Sequence, residues 1–419
     1  MKILQCHNFY QQPGGEDQVF HDEAHLLRSY GHEVIQFTRH NDVLRDMPAW
    51  QAAVRTVWNR ETVRELRSTL RKERPAIVHF TNTFPLISPA AYYAARKEGV
   101  KVVQSLHNYR LLCPNAQFLR DGRVCESCLL KAVPWPAVRY SCYRNDRRST
   151  AVVAGMLTIH RAMGTWKRAV DLYLALTEFG RRKFIEGGLP AEKIAVKPNF
   201  IQVDPGTGDG LGKYAVFVGR LSTEKGIDTL LNAWSHLQGD LQLSIVGDGP
   251  LAGRVRDAAA RDPRIQWLGF QSPDRVLEII GSASFLVLPS LWYEGLPKII
   301  VEAFSKGTPV VASNLGAMTE LIDPGRTGLL FTPGDSASLI ESVAKLSNGG
   351  DVLARMRVAA RHEFERKFTP EANYQILMAA YARILGNSFS VPDEILPGAA
   401  FSKMPLGKTH TEQLSLASR

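Results

Sequence analysis

Two glutamates with seven residues between them, in the stretch EGLPKIIVE, form the clearest candidate site in this sequence. Glu294 precedes a predicted helix and Glu302 lies about one and a half turns inside it, so both carboxylates can face one cleft. Gly295 lets the main chain approach a ligand closely, and unpaired amides near Leu296 and Pro297 favour an anionic group such as a phosphate. A carboxylate that accepts from two neighbouring hydroxyls suits a ribose or a hexose. The alternative is a capping acid plus a solvated surface acid, which the flanking Gly and Pro disfavour.

Two cations follow a short predicted strand, Ala215–Val218, and precede a predicted helix. Gly219 allows close backbone approach at the strand end, while Arg220 and Lys225 can neutralise phosphate oxygens. A strand, a glycine and two cations ahead of a helix therefore predict diphosphate binding. A helix that is merely capped by basic residues is the alternative.

Glycines also mark the ends of two further predicted strands in the second half. Strand Leu241–Val246 runs into Gly247 and Gly249, which form a tight turn at a carboxyl end, where open α/β sheets bind ligands. The short strand Gln266–Phe270, which contains Gly269, offers main-chain groups that can hydrogen-bond the edge of a nucleobase. We expect these three glycines to contribute to a nucleotide site.

The first half carries its own candidates at predicted strand ends. Gly14 and Gly15 follow the first strand, where they allow a ligand to approach the backbone, although a Gly-Gly pair also marks an ordinary turn. His107 and Asn108 follow a later strand on the same side of the sheet. His107 is a candidate to contact substrate, and a structural loop histidine is the alternative.

Strands and helices alternate along both halves of the chain. This alternation predicts an α/β fold with two Rossmann-like, doubly wound parallel-sheet domains that face a cleft. The predicted divisions are a first domain at 1–198 with a Cys-rich, basic insert at 113–169, a second domain at 199–368, a helix at 369–386 that crosses back to the first domain, and a mobile tail at 387–419.

The chain of 419 residues is basic, with a formal net charge of +10, and this charge is concentrated in one region. Eleven Lys or Arg and three Asp or Glu fall between Lys131 and Lys183, around a predicted long helix from Thr150 to about Ala169. One interpretation is a surface that docks a lipid diphosphate acceptor and an anionic membrane; an amphipathic helix with solvated charges is the second. No secretory signal or membrane span is visible in the sequence, so we expect a cytoplasmic protein, peripheral on the inner face of the cell membrane.

Four of the five cysteines fall within thirty residues, and two of them form a Cys-x-x-Cys pair. One such pair with single outlying cysteines is a weaker zinc signal than two pairs, because the fold must bring in the outer ligands. Structural zinc and free thiols in a compact insert therefore both remain open for Cys113, Cys125, Cys128 and Cys142.

Five motifs together make the sequence resemble the family 4, or group 1, retaining glycosyltransferases of GT-B type from Met1 to about Leu385. The motifs are GGED, HN, GRLSTEKG, VGDGPL and EGLPKIIVE. The insert HNYRLLCPNAQFLRDGRVCESC is similar to a bacterial subgroup that builds extracellular or surface polysaccharide. The resemblance implies that 1–198 is the acceptor side and that 199–368 binds a nucleotide sugar.

The resemblance also implies roles for individual residues of the second half. Arg220 and Lys225 match the cations that hold the donor diphosphate. Glu302 matches the acid on the ribose hydroxyls. Glu294 matches the acid near the transferred hexose, where Gly295 and its neighbour Leu296 offer amides.

In the first half, Gly15 matches the loop glycine over the diphosphate, and His107 matches a histidine that contacts the hexose. Many members of the family carry Asp where this chain has Asn108, so His107 is a poor candidate for a proton carrier here.

The implied reaction moves a hexose from a UDP- or GDP-sugar to a glycan or polyprenyl-diphosphate-linked acceptor, with retention and without a catalytic metal. The donor phosphate takes the acceptor proton, and Glu294 orients the sugar; a covalent intermediate on Glu294 is the alternative. The same donor clamp would also serve a nucleotide-sugar epimerase or hydrolase, and the basic surface would suit a non-catalytic module that binds membrane or nucleic acid. The expected partners do not include nucleic acid.

Overall fold

The computed structural model describes residues 1–11, 14–347 and 349–386. The tail predicted at 387–419 lies outside these residues. The first half has eight strands, of which two short ones form an antiparallel hairpin in the insert. The strands are β1 (Lys2–Phe9), β2 (Glu33–His40), β3 (Ile77–Asn82), β4 (Lys101–Leu106), β5 (Leu119–Arg120), β6 (Arg123–Val124), β7 (Leu172–Ala175) and β8 (Ile194–Val196).

Six of these strands form one parallel sheet in the order β2-β1-β3-β4-β7-β8. Strands β3 and β7 are buried along their whole length, because helices cover both faces of the sheet. The helices of this half are α1 (Gly15–Ser29), α2 (Ala49–Val57), α3 (Arg60–Glu73), α4 (Ala90–Lys97), α5 (Trp135–Arg139), α6 (Arg147–Ala162), α7 (Thr165–Arg168) and α8 (Glu178–Glu186).

The second half repeats this design. Its strands are β9 (Tyr214–Val218), β10 (Gln242–Val246), β11 (Ile265–Gly269), β12 (Phe285–Leu288), β13 (Val310–Ser313) and β14 (Gly328–Phe331), and they pair in parallel in the order β11-β10-β9-β12-β13-β14. The remaining helices are α9 (Ile227–His236), α10 (Ala252–Arg261), α11 (Pro273–Ser282), α12 (Lys298–Ser305), α13 (Met318–Leu321), α14 (Ser336–Ser347), α15 (Gly350–Lys367) and α16 (Pro370–Leu385). Two doubly wound parallel sheets confirm the predicted fold class.

The strand order places the candidate loops side by side. In the second sheet the chain winds outward in both directions from the neighbouring strands β9 and β12. The loops that leave the carboxyl ends of two such strands diverge and form a crevice, which is where open α/β sheets bind ligands. Arg220 and Lys225 follow β9, and Glu294 follows β12, so all three belong to this crevice.

Helix α16 packs against the first sheet rather than the second. Tyr374, Leu377 and Tyr381 are buried with residues of β1 and α1 in one apolar cluster. The hydroxyl of Tyr381 lies 2.8 Å from Nδ1 of the buried His79 on β3, which fixes the helix to the interior of the first sheet.

The long helix predicted from Thr150 to about Ala169 is interrupted in the structure. Helix α6 ends at Ala162, and Gly164, with φ of 66°, separates it from the single turn of α7. That left-handed conformation suits glycine and ends the α-helical hydrogen bonding. Within the described ranges, no helix combines the length and apolar character needed to cross a bilayer.

Candidate active site

Glu294 is the most tightly held acid of the crevice. The side chain is buried, with a residue exposure of 6%, and one carboxylate oxygen accepts three hydrogen bonds. Lys225 Nζ donates to Oε1 over 2.6 Å, Ser290 Oγ over 2.8 Å and Trp292 Nε1 over 3.0 Å. The second oxygen, Oε2, has no hydrogen-bond partner among the described residues, so it remains available to a ligand hydroxyl.

The structure therefore brings together Glu294 and Lys225, which are far apart in the sequence. The ammonium of Lys225 also lies 5.6 Å from the centre of the Trp292 ring, within range of a cation–π contact. Ser290 and Trp292 were not predicted from the sequence. They lie four and two residues before Glu294 in the same loop, and this closeness in sequence could have identified them as partners of Glu294.

Arg220 is exposed at the end of β9. Its guanidinium forms no hydrogen bond or ion pair with any residue that the structure describes. An arginine with no internal partner at the mouth of a crevice can place all its donors on a ligand, and its planar fork matches phosphate oxygens.

The glycine loops of the second half pack against one another. A Cβ on Gly247 would lie 2.0 Å from the carbonyl oxygen of Gly219, and φ at Gly247 is 128°, so only glycine fits there. The amide of Gly247 donates to the carbonyl of Gly269 over 2.8 Å, and a Cβ on Gly249 would lie 2.6 Å from the carbonyl oxygen of Leu221. These contacts hold together the loops that follow β9, β10 and β11 at the carboxyl ends of these strands.

Helix α12 begins after Pro297, next to Glu294. The amides of Gly295 and Leu296 donate to no residue in the described part of the chain, and they lie on the loop that enters the helix. Glu302 is half-buried on this helix. Burial raises the pKa of its carboxyl, and the charge of Lys298 acts in the opposite direction.

The first half contacts this loop directly. A Cβ on Gly295 would lie 2.9 Å from the carbonyl oxygen of His107, so the two loops meet across the cleft. Burial and the charge of Lys197 lower the pKa of His107 to about 3. Its imidazole is therefore neutral near pH 7 and can exchange hydrogen bonds without carrying a charge.

Glu320 joins the two halves beside this contact. Its carboxylate oxygens accept from the amides of Glu178 and Phe179, both over 2.7 Å, at the amino end of α8. A carboxylate at a helix amino terminus is favourable because it satisfies unpaired amides and the helix dipole. This acid was outside the sequence predictions.

Gly14 and Gly15 lie at the start of α1, and both are exposed. Among the described residues, which exclude 12 and 13, nothing lies within 4 Å of a Cβ built on either glycine. No contact with a described residue therefore requires glycine at these positions.

The four insert cysteines are all reduced, and their sulfurs influence one another electrostatically. Burial raises the pKa of Cys128 to about 11, and the neighbouring thiols of Cys113, Cys142 and Cys125 add to the rise. No group of three or more His, Cys, Asp or Glu in the described residues is arranged to hold a metal ion. The structure thus gives no support to the zinc interpretation.

Comparison with known proteins matches both halves of the chain to one group of enzymes. The model of the glycosyl transferase 4-like domain matches residues 14–199, and that of the glycosyl transferases group 1 matches residues 212–348. The amylovoran biosynthesis glycosyltransferase AmsK of Erwinia amylovora is 28% identical over 230 residues, which cover 51% of this chain and 56% of AmsK. The alpha-D-kanosaminyltransferase of Streptomyces kanamyceticus is 26% identical over 330 residues, 76% of this chain and 80% of that protein.

Among solved structures, Anabaena HepE in complex with UDP-glucose superposes with a TM-score of 0.63 and 19% identity, covering 90% of this chain and 99% of HepE. At that identity the likeness concerns the fold. In alignments with five of the curated relatives, the chain spans 22% to 61% of the relative's length. Since family models match most of each half, the chain belongs to the group 1 glycosyltransferases and has their GT-B fold.

Proposed function

We propose that this protein transfers a hexose, with retention of configuration, from a UDP- or GDP-sugar to a hydroxyl of a lipid-linked glycan in the synthesis of an extracellular or surface polysaccharide. The observation that carries the proposal is the crevice at β9 and β12, where Lys225 is bonded to Glu294 and Arg220 has no described partner. The relatives named above support it, since one is named for amylovoran biosynthesis and another structure contains UDP-glucose.

In this proposal the donor diphosphate lies between Arg220, Lys225 and the free amides of Gly295 and Leu296. These groups are oriented before the substrate arrives, so they stabilise the negative charge that grows on the leaving phosphate as the bond to the sugar breaks. The two side-chain cations do the work that a divalent metal does in other transferases, so no catalytic metal is required. Glu302 accepts from the ribose hydroxyls.

Glu294 orients the hexose in this proposal. Three donors already bind its Oε1, which lowers the nucleophilicity of that oxygen, and Oε2 is left to accept from a sugar hydroxyl. The bond from the anomeric carbon to the phosphate oxygen breaks, and the acceptor oxygen bonds to the same face. The acceptor proton passes to the departing phosphate oxygen, so the neutral His107 is not needed as a base.

The acceptor's lipid is proposed to lie at an exposed apolar face of the first half. Helix α6 packs against both α2 and α5, and these elements carry large apolar side chains in solvent. Trp50 of α2 is 71% exposed and Trp135 of α5 is 55% exposed, and Ile159 of α6 is exposed as well. Leu130, before α5, is 76% exposed, and Met163, directly after α6, is also exposed. We propose that these side chains form one apolar patch, since a contiguous exposed apolar patch marks a membrane or partner contact site.

Arginines accompany this face. Arg139, Arg144, Arg147 and Arg148 are exposed, and none forms an ion pair with a carboxylate in the described ranges. Unpaired cations next to exposed aromatic residues fit an anionic bilayer surface, because each cation near such a surface contributes about 1 kcal/mol. We therefore propose peripheral attachment to an anionic membrane through this face.

The test of the transfer proposal uses UDP- and GDP-hexoses with a radioactive sugar and a bacterial lipid extract as acceptor. Label should enter the lipid fraction with the wild-type protein and with Arg355→Ala, an exposed arginine on α15, but not with Arg220→Ala. Free labelled sugar or an epimerised donor, without labelled lipid, would indicate a hydrolase or an epimerase instead.

The membrane proposal is tested by sedimentation with vesicles. The protein should sediment with phosphatidylglycerol-containing vesicles and much less with phosphatidylcholine vesicles, and the double variant Trp50→Ser, Trp135→Ser should lose most of this binding. Equal sedimentation of the wild-type protein with both vesicle types, or full binding by the double variant, would contradict the proposed face.

A further inference from the structure

A small cavity lies in the first half, next to the contact between His107 and Gly295. It encloses about 50 Å³ and opens among residues from the carboxyl ends of β3 and β4 and the start of α1. Its polar lining includes Glu16, Thr81, His107, Asn108 and Arg110. A water molecule needs roughly 10–15 Å³ by this kind of measure, so the cavity has room for about three to five water-sized groups, such as hydroxyls of a sugar.

Glu16 is the acid of this cavity, and it has no described cationic partner. The hydroxyl of Tyr10 donates to Oε2 over 2.6 Å, and no ion pair engages the carboxylate among the residues that the structure describes. Arg110, whose charge acts on Glu16, has other partners. Its Nη1 donates to the carbonyl of Pro114 over 2.7 Å, and its guanidinium lies 4.2 Å from the centre of the Phe84 ring.

Glu16 lies in the first turn of α1, but it does not cap the helix. Asp17 performs the capping, since its Oδ2 accepts from the amide of Gly14 over 2.9 Å and its Oδ1 lies 2.7 Å from Nε2 of His7. Glu16 is half-buried, and a partly desolvated carboxyl without a cationic partner costs folding free energy. A ligand that donates to it would offset that cost.

We propose that Glu16 accepts a hydrogen bond from a hydroxyl of the acceptor sugar and thereby positions this sugar for attack. The inference rests on the proposed transferase function, and it assigns the acceptor side of the same site. The cavity shares His107 with the cleft, and the His107 carbonyl touches the loop of Gly295. A sugar held by Glu16 is therefore next to the place where the donor hexose is proposed to lie.

The proposal has a consequence for pH. Burial raises the pKa of Glu16 to about 7, and the charge of Asp17 adds to the rise, while Tyr10, Arg110 and Asn108 act in the opposite direction. Only in the carboxylate form are both oxygens of Glu16 free of a proton and able to accept from a hydroxyl. Binding of the acceptor sugar should therefore weaken as the pH falls through about 7. Among the other ionisable groups on the cavity, His107 stays neutral in that range, burial raises the pKa of Tyr92 so that it also stays neutral, and Arg110 stays charged.

The experiment compares Glu16→Gln with Glu341→Gln, a matched change of an exposed glutamate on α14. The probes are the methyl glycosides of glucose, galactose and mannose, measured by saturation-transfer NMR in the presence of UDP at pH 6 and pH 8. The wild-type protein and Glu341→Gln should bind at least one glycoside more tightly at pH 8. Glu16→Gln should bind it roughly 10- to 100-fold more weakly at pH 8, and its binding should lose the pH dependence.

Melting temperatures with and without UDP separate the possible failures. Glu16→Gln should melt no lower than the wild-type protein at pH 8, because the change removes a desolvated charge, and its response to UDP should be unchanged. Normal glycoside binding by Glu16→Gln, or no glycoside signal from the wild-type protein, would overturn the acceptor subsite. An absent UDP response in the wild-type protein would instead contradict the donor site.

Discussion

Replacing Arg220 by alanine should weaken UDP binding strongly without destabilising the unliganded protein. The side chain is exposed and has no described partner, so its removal should change the free energy of unfolding by less than about 0.5 kcal/mol. A hydrogen bond to a charged group is worth about 1.5–3 kcal/mol, which corresponds to a loss of roughly 10- to 150-fold in affinity for the diphosphate. Lys225→Ala is a less clean test, since it also removes a donor from the buried Glu294.

The assay is thermal unfolding with and without UDP. At a UDP concentration 100 times the wild-type Kd, the ligand should stabilise the wild-type protein by about 2.7 kcal/mol. A variant with tenfold weaker binding should gain about 1.4 kcal/mol, and one with 100-fold weaker binding about 0.4 kcal/mol. Arg355→Ala serves as the control. A full UDP response in Arg220→Ala, or an equal loss in Arg355→Ala, would refute the assignment of Arg220 to the diphosphate.

Three further predictions follow from the site. Ser290→Ala removes one donor from the Glu294 carboxylate and should lower kcat by roughly tenfold with little change in UDP affinity; an unaltered kcat would show that this bond does not orient the acid. Treatment with EDTA should leave transfer activity intact because Arg220 and Lys225 supply the positive charge, and activity that is lost with EDTA and restored by Mg²⁺ would contradict the metal-free proposal. Glu302→Gln should weaken UDP binding at pH 8. The binding of UDP to the wild-type protein should weaken as the pH falls toward the raised pKa of Glu302, since the protonated acid accepts less well from the ribose. Equal UDP affinity of the two proteins at pH 8 would place the ribose elsewhere.

Much of the fold is encoded locally and was therefore predictable. Apolar runs that end in glycine, such as Leu241–Val246 before Gly247, mark strands followed by tight turns, and their alternation with helices leads to two parallel sheets. The break after α6 was not predicted because the apolar spacing continues past Gly164. The left-handed backbone conformation of Gly164 ends the helix despite that spacing. One glycine within a helical pattern is a weak signal when it is read without the backbone conformation.

The site was predictable in its residue types but not in its pairings. The loops after β9 and β12 meet only because their strands are neighbours, so the bond from Lys225 to Glu294 depends on strand order rather than on local sequence. Glu16 stands within the GGED motif, yet its neighbour Asp17 caps the helix. Which of two adjacent acids faces a cavity depends on the helix orientation and on burial, and neither is visible in the sequence.

A crystal structure of the protein with bound UDP tests the central claim most directly. We predict that the diphosphate lies within hydrogen-bond distance of Arg220 and Lys225 at the start of α12, and that Glu302 contacts the ribose hydroxyls. A UDP molecule bound elsewhere, or bound in this crevice with Arg220 and Glu302 turned away into solvent, would contradict the proposed site and the transfer reaction built on it.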